Sequence, residues 1–481
     1  MSDSSLPVVT DAGTPHEQEQ QSLWSAVKES VRGSHHHDYT KGPIGRAILL
    51  LAIPMVLEMI MESVFAVVDI FWVSHLGTDA AATVGLTESL LTLIYALAIG
   101  LSIGAMAMVA RRIGEKNPDG AARAAVQSIF LALFVSILIG AVGAPFAPEL
   151  LKLMGGSPWV VEHGAAFTRV MLAGNVTVVM LFMINAIFRG AGDAAIAMRT
   201  LWLANWINIV LGPCLIFGLG PFPKMGIVGA AIATNIGRGT GALFALSKLL
   251  REGGRITIER RHLRIEPSII ARLLRLSATG TFQVFIGMAS WIGLVRIISS
   301  FGSNAVAGYT FGIRVILFAL LPSWGMANAA ATMVGQALGA RDPERAERAV
   351  WKAGFYNMIF LGIVGLIFVF FAPQIISFYT DDPNVAQYGV DCLRIVAYGF
   401  LFYAYGMVLG QSFNGAGDTW TPTIINLFVF WLWEIPLAYV LSSALGMGPR
   451  GVFVAMTIAF STLAVVSAAV FRLGRWKKRV V

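Results

Sequence analysis

FRGAGD at Phe188–Asp193 returns as FNGAGD at Phe413–Asp418, an offset of 225 residues. The same offset holds without a gap from residue 77 to residue 193, and it falls to 222 further on. It relates Gly77 to Gly302, Gly114 to Gly339, Pro118 to Pro343, Arg123 to Arg348, Pro158 to Pro383 and Arg169 to Arg394. So long a register predicts a chain built from two copies of one structural unit.

The composition places both units in a membrane. Hydrophobic residues make up 56% of the chain and charged residues 13%, whereas ordinary soluble proteins carry about 25% charged residues. Because about 20 apolar residues cross a bilayer, we expect an all-α polytopic membrane protein with two lobes of six helices. The predicted spans are 47–73, 83–107, 124–144, 162–187, 195–218, 226–249, 270–300, 306–332, 350–372, 386–412, 420–443 and 450–472.

Basic residues set the expected orientation. Most of the 35 Lys and Arg lie in alternate loops or close to them, which predicts cytoplasmic N- and C-termini in the plasma (inner) membrane. This distribution accounts for the net charge of +8 without nucleic acid. The expected parts are a disordered cytoplasmic tail at 1–45, a first lobe at 46–250, a basic cytoplasmic linker at 251–268, a second lobe at 269–473 and a basic cytoplasmic tail at 474–481.

The N-terminal region and the cysteines add little chemistry. Residues 1–45 are polar and lack the apolar core of a signal peptide; a short amphipathic helix is expected near 24–31, and the His run at 35–37 favours a solvated tail over a metal site. Cys214 and Cys392 lie in apolar segments, and their spacing indicates neither a disulfide framework nor a metal cluster. We expect no metal and no cofactor beyond a coupling ion.

An even number of spans per unit makes the two lobes parallel repeats. Parallel lobes facing a cavity are the architecture of an alternating-access carrier. A channel would more often come from several identical subunits around a pore, and the sequence shows no filter-like motif.

Several motifs resemble those of the multidrug and toxic compound extrusion (MATE) family. They are VDIFWVSHLG at Val68–Gly77, VARRIGEKNP at Val109–Pro118, GIVGAAIAT at Gly226–Thr234 and the two GAGD turns. The resemblance covers about residues 46–472, and the first lobe looks closer to the DNA-damage-inducible-protein-F-like branch than to NorM. It implies a cation-coupled antiporter that exports amphipathic, often cationic, compounds from the cytoplasm.

Three acids of the first span are candidate functional residues. At 100° per residue, Glu62 and Asp69 lie about 40° and 20° from Glu58, so all three share one helix face. An acid inside a bilayer costs about 2.5–3.5 kcal/mol and is a functional candidate by default. Because the second lobe has Gln283, Gly287 and Leu294 at the equivalent positions, ion coupling is expected in the first lobe. Glu58 and Glu62 are equally compatible with inert groups that line a vestibule.

The family resemblance implies a cation site made of Asp69, Asn208 and Thr234, with a second acid where this chain has Gly212. Sodium favours several oxygen ligands with compensating charge, so this departure favours H⁺ and leaves Na⁺ open. Asn185 is a further candidate, or else forms an interhelical hydrogen bond.

The second lobe has one interior acid, Glu434. It is expected to bind a cationic substrate, to help in proton release, or to form a structural ion pair with Arg296 or Arg314. Glu88 is a weaker candidate of the same kind. An adaptable apolar cavity for organic cations, or else ordinary helix packing, is expected from Met55, Met59, Phe65, Gln283, Trp291 and Tyr405.

The GAGD turns predict tight helix connections in which Asp193 and Asp418 cap the following helices. No strand precedes them and no Lys follows at the spacing of a phosphate loop. The chain shows no nucleophile–base or metal motif, which argues against an intramembrane enzyme. A flippase for lipid-linked intermediates remains an alternative, although such relatives usually carry extra spans and a more basic cavity. We expect a monomer in the lipid bilayer that acts on small molecules.

Overall fold

The computed structural model describes residues 25, 27–33, 37–251 and 253–479, and over these residues all regular structure is helical. The first lobe comprises α1 Ile44–Ser74, α2 Thr78–Gly114, α3 Pro118–Gly143, α4 Ala147–Leu153, α5 Pro158–Ala173, α6 Asn175–Ala191, α7 Ala194–Phe217 and α8 Ile227–Leu250. The second comprises α9 Pro267–Ser299, α10 Ser303–Gly339, α11 Pro343–Ser377, α12 Pro383–Ala397, α13 Phe400–Gly415, α14 Trp420–Ala444 and α15 Pro449–Arg472.

The helices confirm the predicted fold class. In the described part of the chain, 10 helical segments are long and apolar enough to cross a membrane, with α5 and α6 counted as one. The pair α12 and α13, bent by 63°, makes an eleventh. The remaining predicted span, 226–249, corresponds to α8. This helix has 24 residues and is less apolar than the others because it carries Asn235 and Arg238.

Most basic loops lie at one end of the bundle, which we call the basic end: residues 111–123, 188–193, 251–266, 336–348, 413–419 and 472–479. Its turns reproduce the sequence repeat. Lys116 (φ 58°) and Arg341 (φ 60°) both adopt the left-handed conformation. The next residue in each copy caps a helix, since Asn117 accepts a hydrogen bond from the Gly120 amide and Asp342 accepts one from the Arg345 amide. The offset of 225 therefore relates equivalent turns.

The two GAGD turns connect helices tightly, as the sequence predicted. Gly192 (φ 87°) and Gly417 (φ 80°) supply the left-handed residue of each turn, which a side chain would strain. The first glycine of each motif permits close helix packing, because a Cβ at Gly190 would lie 2.7 Å from the Met106 carbonyl oxygen and one at Gly415 would overlap the Ala331 carbonyl.

The predicted capping role of the two aspartates is wrong. The Asp193 carboxylate makes no capping hydrogen bond to α7; it pairs with Arg255 at 3.2 Å. In the second copy, Asp418 pairs with Arg479 at 3.1 Å and accepts a hydrogen bond from the Thr421 hydroxyl. Each aspartate holds a basic segment that follows the last helix of its own lobe, because an arginine lies within reach there and binds a carboxylate strongly.

The lobes meet through their first two helices. The first half of α1, including Ile48, Leu51 and Met55, is buried in the core of the second lobe, although the predicted boundary assigns α1 to the first. A Cβ at Gly325 of α10 would lie 2.6 Å from the Met55 carbonyl oxygen. The equivalent contact joins α2 and α9, where Gly100 touches the main chain of Thr281. The first helix of each lobe thus packs against the second helix of the other.

Main-chain contacts also close the basic end between the lobes. A Cβ at Gly114 would overlap the carbonyl group of Gln336, and one at Gly339 would overlap the carbonyl oxygen of Arg111. Nearby, the Thr332 hydroxyl donates to the Arg189 carbonyl at 3.0 Å, and the Gln336 amide donates to the Gly190 carbonyl at 3.0 Å. The two lobes are therefore in direct contact at this end.

The segment 37–43 is packed, so the expected disorder of residues 1–45 does not hold there. Arg345 donates hydrogen bonds to the carbonyl oxygens of Tyr39, Lys41 and Gly42 at 3.0, 2.8 and 2.9 Å. The Tyr39 side chain is buried, and its hydroxyl donates to the Gly192 carbonyl. This segment therefore bridges α11 of the second lobe to the first GAGD turn.

Residues 27–32 are helical, in line with the short helix expected there. Residues 1–24, 26 and 34–36 of the predicted tail, which include Trp24, His35 and His36, lie outside the described residues.

Candidate functional site

A cavity of ≈180 Å³ lies between the lobes. Helices α1, α2, α6 and α7 of the first lobe and α10 and α13 of the second supply its walls. Most of the lining is apolar, with aromatic faces from Phe182 and Trp324, and its charged groups are Glu58, Glu62 and Arg189. The cavity combines an apolar body with a few polar groups, as binding sites for small molecules do.

Glu58 and Arg189 form an ion pair in the cavity wall. The Arg189 Nη1 donates to Glu58 Oε1 at 2.7 Å, and the Asn185 amide donates to the same oxygen at 3.2 Å. The side chains of Glu58 and Arg189 are only 2% and 9% exposed. Water therefore stabilises neither charge effectively, and each charge is stabilised by its ion-pair partner. Of the two alternatives predicted for Asn185, the structure therefore shows the interhelical hydrogen bond, made to Glu58.

Glu62 forms a second ion pair one turn further along α1. Arg238 of α8 approaches Glu62 Oε1 at 3.0 Å, and the Asn205 amide of α7 donates to Glu62 Oε2 at 3.1 Å. Arg238 also lies over the Phe65 ring, 5.3 Å from its centroid. Its side chain is 3% exposed, whereas that of Glu62 is 23% exposed, so Glu62 is the member that faces the cavity.

The expected cation site is only partly assembled. The Asn208 amide donates to the Thr234 hydroxyl at 2.8 Å, which brings two of its members together. Asp69 is half-buried and makes no hydrogen bond or ion pair with the residues that the structure describes. At Gly212, a Cβ would meet only Asn208 Oδ1, at 3.7 Å, so a side chain fits where the resemblance implies a second acid.

Glu434 lies apart from this site, inside the second lobe. It is 2% exposed and ends a π-helical stretch, Leu427–Glu434. The expected ion pair with Arg296 or Arg314 is wrong, because both arginines are exposed on their helices while Glu434 points into the lobe, and its Oε2 has no hydrogen-bond partner within the described part of the chain. The Glu88 side chain is exposed on α2.

Few of the residues expected in the substrate cavity line it. Met59 does, but Met55 is buried against α10 and Phe65 lies under Arg238. Tyr405 packs near Trp351 in the second lobe. Gln283 and Trp291 of α9 are half-buried outside the lining.

Sequence reasoning missed the two arginines that complete the site. Arg189 lies inside the FRGAGD motif. Because this motif was interpreted as a helix connection, the Arg189 side chain was not predicted to be functional. Arg238 is a charged residue in an otherwise apolar part of its helix. The cost of placing a charge inside a bilayer, which made the acids functional candidates, applies equally to basic residues. That signal would have found Arg238.

Two parallel lobes enclosing an apolar cavity with charged walls define a polytopic membrane transporter for small molecules. The sequence model of the MatE family matches residues 54–214 and 279–440, one segment in each lobe. The chain therefore belongs to the MATE family of transporters, which confirms the resemblance and the prediction that it is not an enzyme.

Relatives match over nearly the whole chain. The probable multidrug resistance protein YoeA of Bacillus subtilis (strain 168) is 25% identical over 446 residues, covering 92% of this chain and 96% of its own. The probable multidrug resistance protein NorM of Thermotoga maritima is 26% identical over 441 residues, with 91% and 94% covered. A solved outward-facing structure of a multidrug resistance MATE family transporter shares 29% identity and a TM-score of 0.86, covering 92% of this chain and 98% of that one. These relatives support drug extrusion as the general activity.

Proposed function

We propose that this protein is a cation-coupled antiporter that exports amphipathic, often cationic, compounds by alternating access, with H⁺ as the favoured coupling ion and Na⁺ as the alternative. The observation that carries the proposal is the cavity between the lobes, whose charged residues all belong to the first lobe. This one-sided arrangement supports a division of labour in which the first lobe binds the ion and both lobes enclose the substrate.

The basic end is proposed to face the cytoplasm, because positively charged loops are retained on that side. The protein then sits in the plasma (inner) membrane, with the regions before α1 and after α15 in the cytoplasm, and works as a monomer surrounded by lipid. Since the basic end is closed by direct contacts between the lobes, the conformation described here is assigned as outward-facing.

Asp69 is proposed as the coupling residue. It is a half-buried carboxylate on α1 with no ion-pair partner among the described residues, so it is available to an incoming cation. Glu58 and Glu62 are held by arginines. A single carboxylate beside an Asn–Thr pair supports proton binding, and the absence of an acid at Gly212 weakens a sodium site.

In the proposed cycle, protonation of Asp69 from outside removes its charge and changes how α1 packs against its own lobe. Pro54 lies inside α1 and removes one main-chain hydrogen bond, so the helix bends there at low cost. Bending narrows the cavity and releases the substrate, and deprotonation towards the cytoplasm resets the helix.

The test is export of ethidium and of norfloxacin from everted vesicles, with a pH gradient or a Na⁺ gradient imposed separately, for wild type and Asp69→Asn. We expect export driven by the pH gradient alone and lost in Asp69→Asn at an unchanged level of membrane-inserted protein. Full export by Asp69→Asn would overturn the assignment of Asp69. Export driven only by Na⁺ would overturn proton coupling, and absence of export under either gradient would favour a lipid or metabolite substrate.

A further inference from the structure

The cavity wall presents a matched acid and base to any molecule that enters. Glu58 and Arg189 both line the cavity, 2.7 Å apart, and both are almost fully buried. Their unused hydrogen-bonding capacity is also complementary. Glu58 Oε2 and Asn185 Oδ1 are buried acceptors, and Arg189 Nε is a buried donor, without partners in the described structure.

A ligand with a single charge fits this wall poorly. A monocation that binds Glu58 Oε2 brings a second positive charge beside the buried Arg189 guanidinium, and a monoanion that binds Arg189 Nε brings a second negative charge beside the Glu58 carboxylate. Like charges at such short range repel each other, and a buried site screens this repulsion poorly. A molecule that carries both charges avoids this cost, because its cation binds Glu58, its carboxylate binds Arg189, and each added charge lies beside an opposite one.

We propose that the substrates of this transporter are zwitterionic aromatic compounds, bound by the intact Glu58–Arg189 ion pair through its two unused groups, Glu58 Oε2 and Arg189 Nε. The inference rests on the proposed export function and narrows its substrate class. Phe182 and Trp324 offer ring faces to the aromatic body. The pair Glu62–Arg238 stays intact, because the Arg238 side chain is buried away from the cavity.

The second lobe shows why the preference belongs to this pair. In the repeat, Gln283 is equivalent to Glu58 and Asn414 is equivalent to Arg189. Asn414 donates to Gln411 on its own helix at 2.7 Å, and the equivalent turn therefore offers neither charge. A substrate that is recognised through both a positive and a negative charge must therefore bind on the first-lobe side of the cavity.

The probes are rhodamine B, which is zwitterionic, its ethyl ester, which is a monocation, and fluorescein, which is anionic on a similar xanthene framework. Binding is measured by fluorescence anisotropy with the purified full-length protein in lipid nanodiscs, and transport is measured in everted vesicles. For wild type we expect rhodamine B to bind at least about tenfold more tightly than either other dye, since only it adds no unbalanced charge beside the buried ion pair.

The variants give opposite shifts. Arg189→Gln should reverse the preference towards the ester, and Glu58→Gln should reverse it towards fluorescein. The double variant Glu58→Gln/Arg189→Gln leaves no unpaired charge, so it stays testable even where a single variant does not fold, and it should discriminate between the dyes by less than about threefold. Asp391→Asn, which removes an exposed ion pair remote from the cavity, should keep the wild-type order.

Equal or tighter binding of the ester by wild type, or an unchanged preference in the double variant, would overturn the inference. Either result can occur while ethidium and norfloxacin are still exported, in which case the proposed export function stands. If none of the compounds is transported under any gradient, the proposed function fails; the dye-binding order in nanodiscs still decides the inference about charge recognition.

Discussion

The ion pair Glu62–Arg238 predicts an unequal response to the removal of its two members. In Glu62→Gln the Arg238 guanidinium, 3% exposed, stays in the helix packing without its ion-pair partner. Removing one member of a buried pair costs about 3–5 kcal/mol. We expect Glu62→Gln to lose about that much stability, since the Phe65 ring, 5.3 Å from the guanidinium, is a weak substitute for a hydrogen-bonded carboxylate.

In Arg238→Gln the carboxylate left behind is better placed. The Glu62 side chain is 23% exposed towards the cavity and keeps its hydrogen bond from Asn205 at 3.1 Å. Loss of one hydrogen-bonded partner then costs about 1–3 kcal/mol. The double variant Glu62→Gln/Arg238→Gln has no orphaned charge, so it should be more stable than Glu62→Gln alone.

The assay is thermal unfolding in nanodiscs, followed by tryptophan fluorescence, for the three variants and for Asp391→Asn as a control. Asp391 pairs with Arg450, which is 54% exposed, and such surface pairs contribute about 0–1 kcal/mol. The expected order of stability is wild type and Asp391→Asn, then Arg238→Gln, with Glu62→Gln lowest. An Arg238→Gln variant as unstable as Glu62→Gln, or additive losses in the double variant, would refute the reasoning.

Three further predictions concern other parts of the chain. Gly212→Asp, whose Cβ has room beside Asn208, should restore the second carboxylate and make export respond to a Na⁺ gradient, whereas Gly212→Asn should not; vesicle export under each gradient measures this. Arg345→Gln should speed amide hydrogen exchange in residues 38–43 by at least about tenfold, because it removes three hydrogen bonds to that segment, while unchanged exchange would show that the segment is held otherwise. Burial alone would raise the pKa of Asp38, but hydrogen bonds from Lys116 and Thr40 lower it to about 2. Its contribution to stability is therefore present above its ordinary pKa and lost only as pH falls towards 2. Asp38→Asn should change thermal stability equally at about pH 7.5 and pH 9, because burial lowers the pKa of the neighbouring His37 and keeps it neutral at both values; a difference between them would contradict this.

Most of the fold could be predicted from short-range patterns in the sequence. The offset of 225 located equivalent turns correctly because each turn needs particular residues: a left-handed glycine in the GAGD motif and an Asn or Asp cap before each proline. Helical periodicity also placed Glu58 and Glu62 on the face of α1 that meets the first lobe. Such features depend on neighbours within a few positions along the chain.

The partners of those acids could not be read in the same way, since pairing depends on which helices lie side by side. Arg189 is 131 residues from Glu58, and nothing in the sequence around Glu434 shows that Arg296 and Arg314 point away from it. The packing of residues 37–43 was missed for a different reason. Arg345 binds main-chain carbonyl oxygens there, which every residue has, so the contact leaves no trace in composition.

The main-chain contacts at the basic end have a consequence for the kinetics of the conformational cycle. Where side chains separate two bodies, a change of rotamer lets them move apart by degrees. At Gly114 and Gly339 each glycine faces a carbonyl group of the opposite lobe directly. Closely packed backbones have no rotamers that would let them separate gradually. Parting the lobes there is an all-or-none event, so half-open forms should be sparsely populated and opening should follow a single exponential.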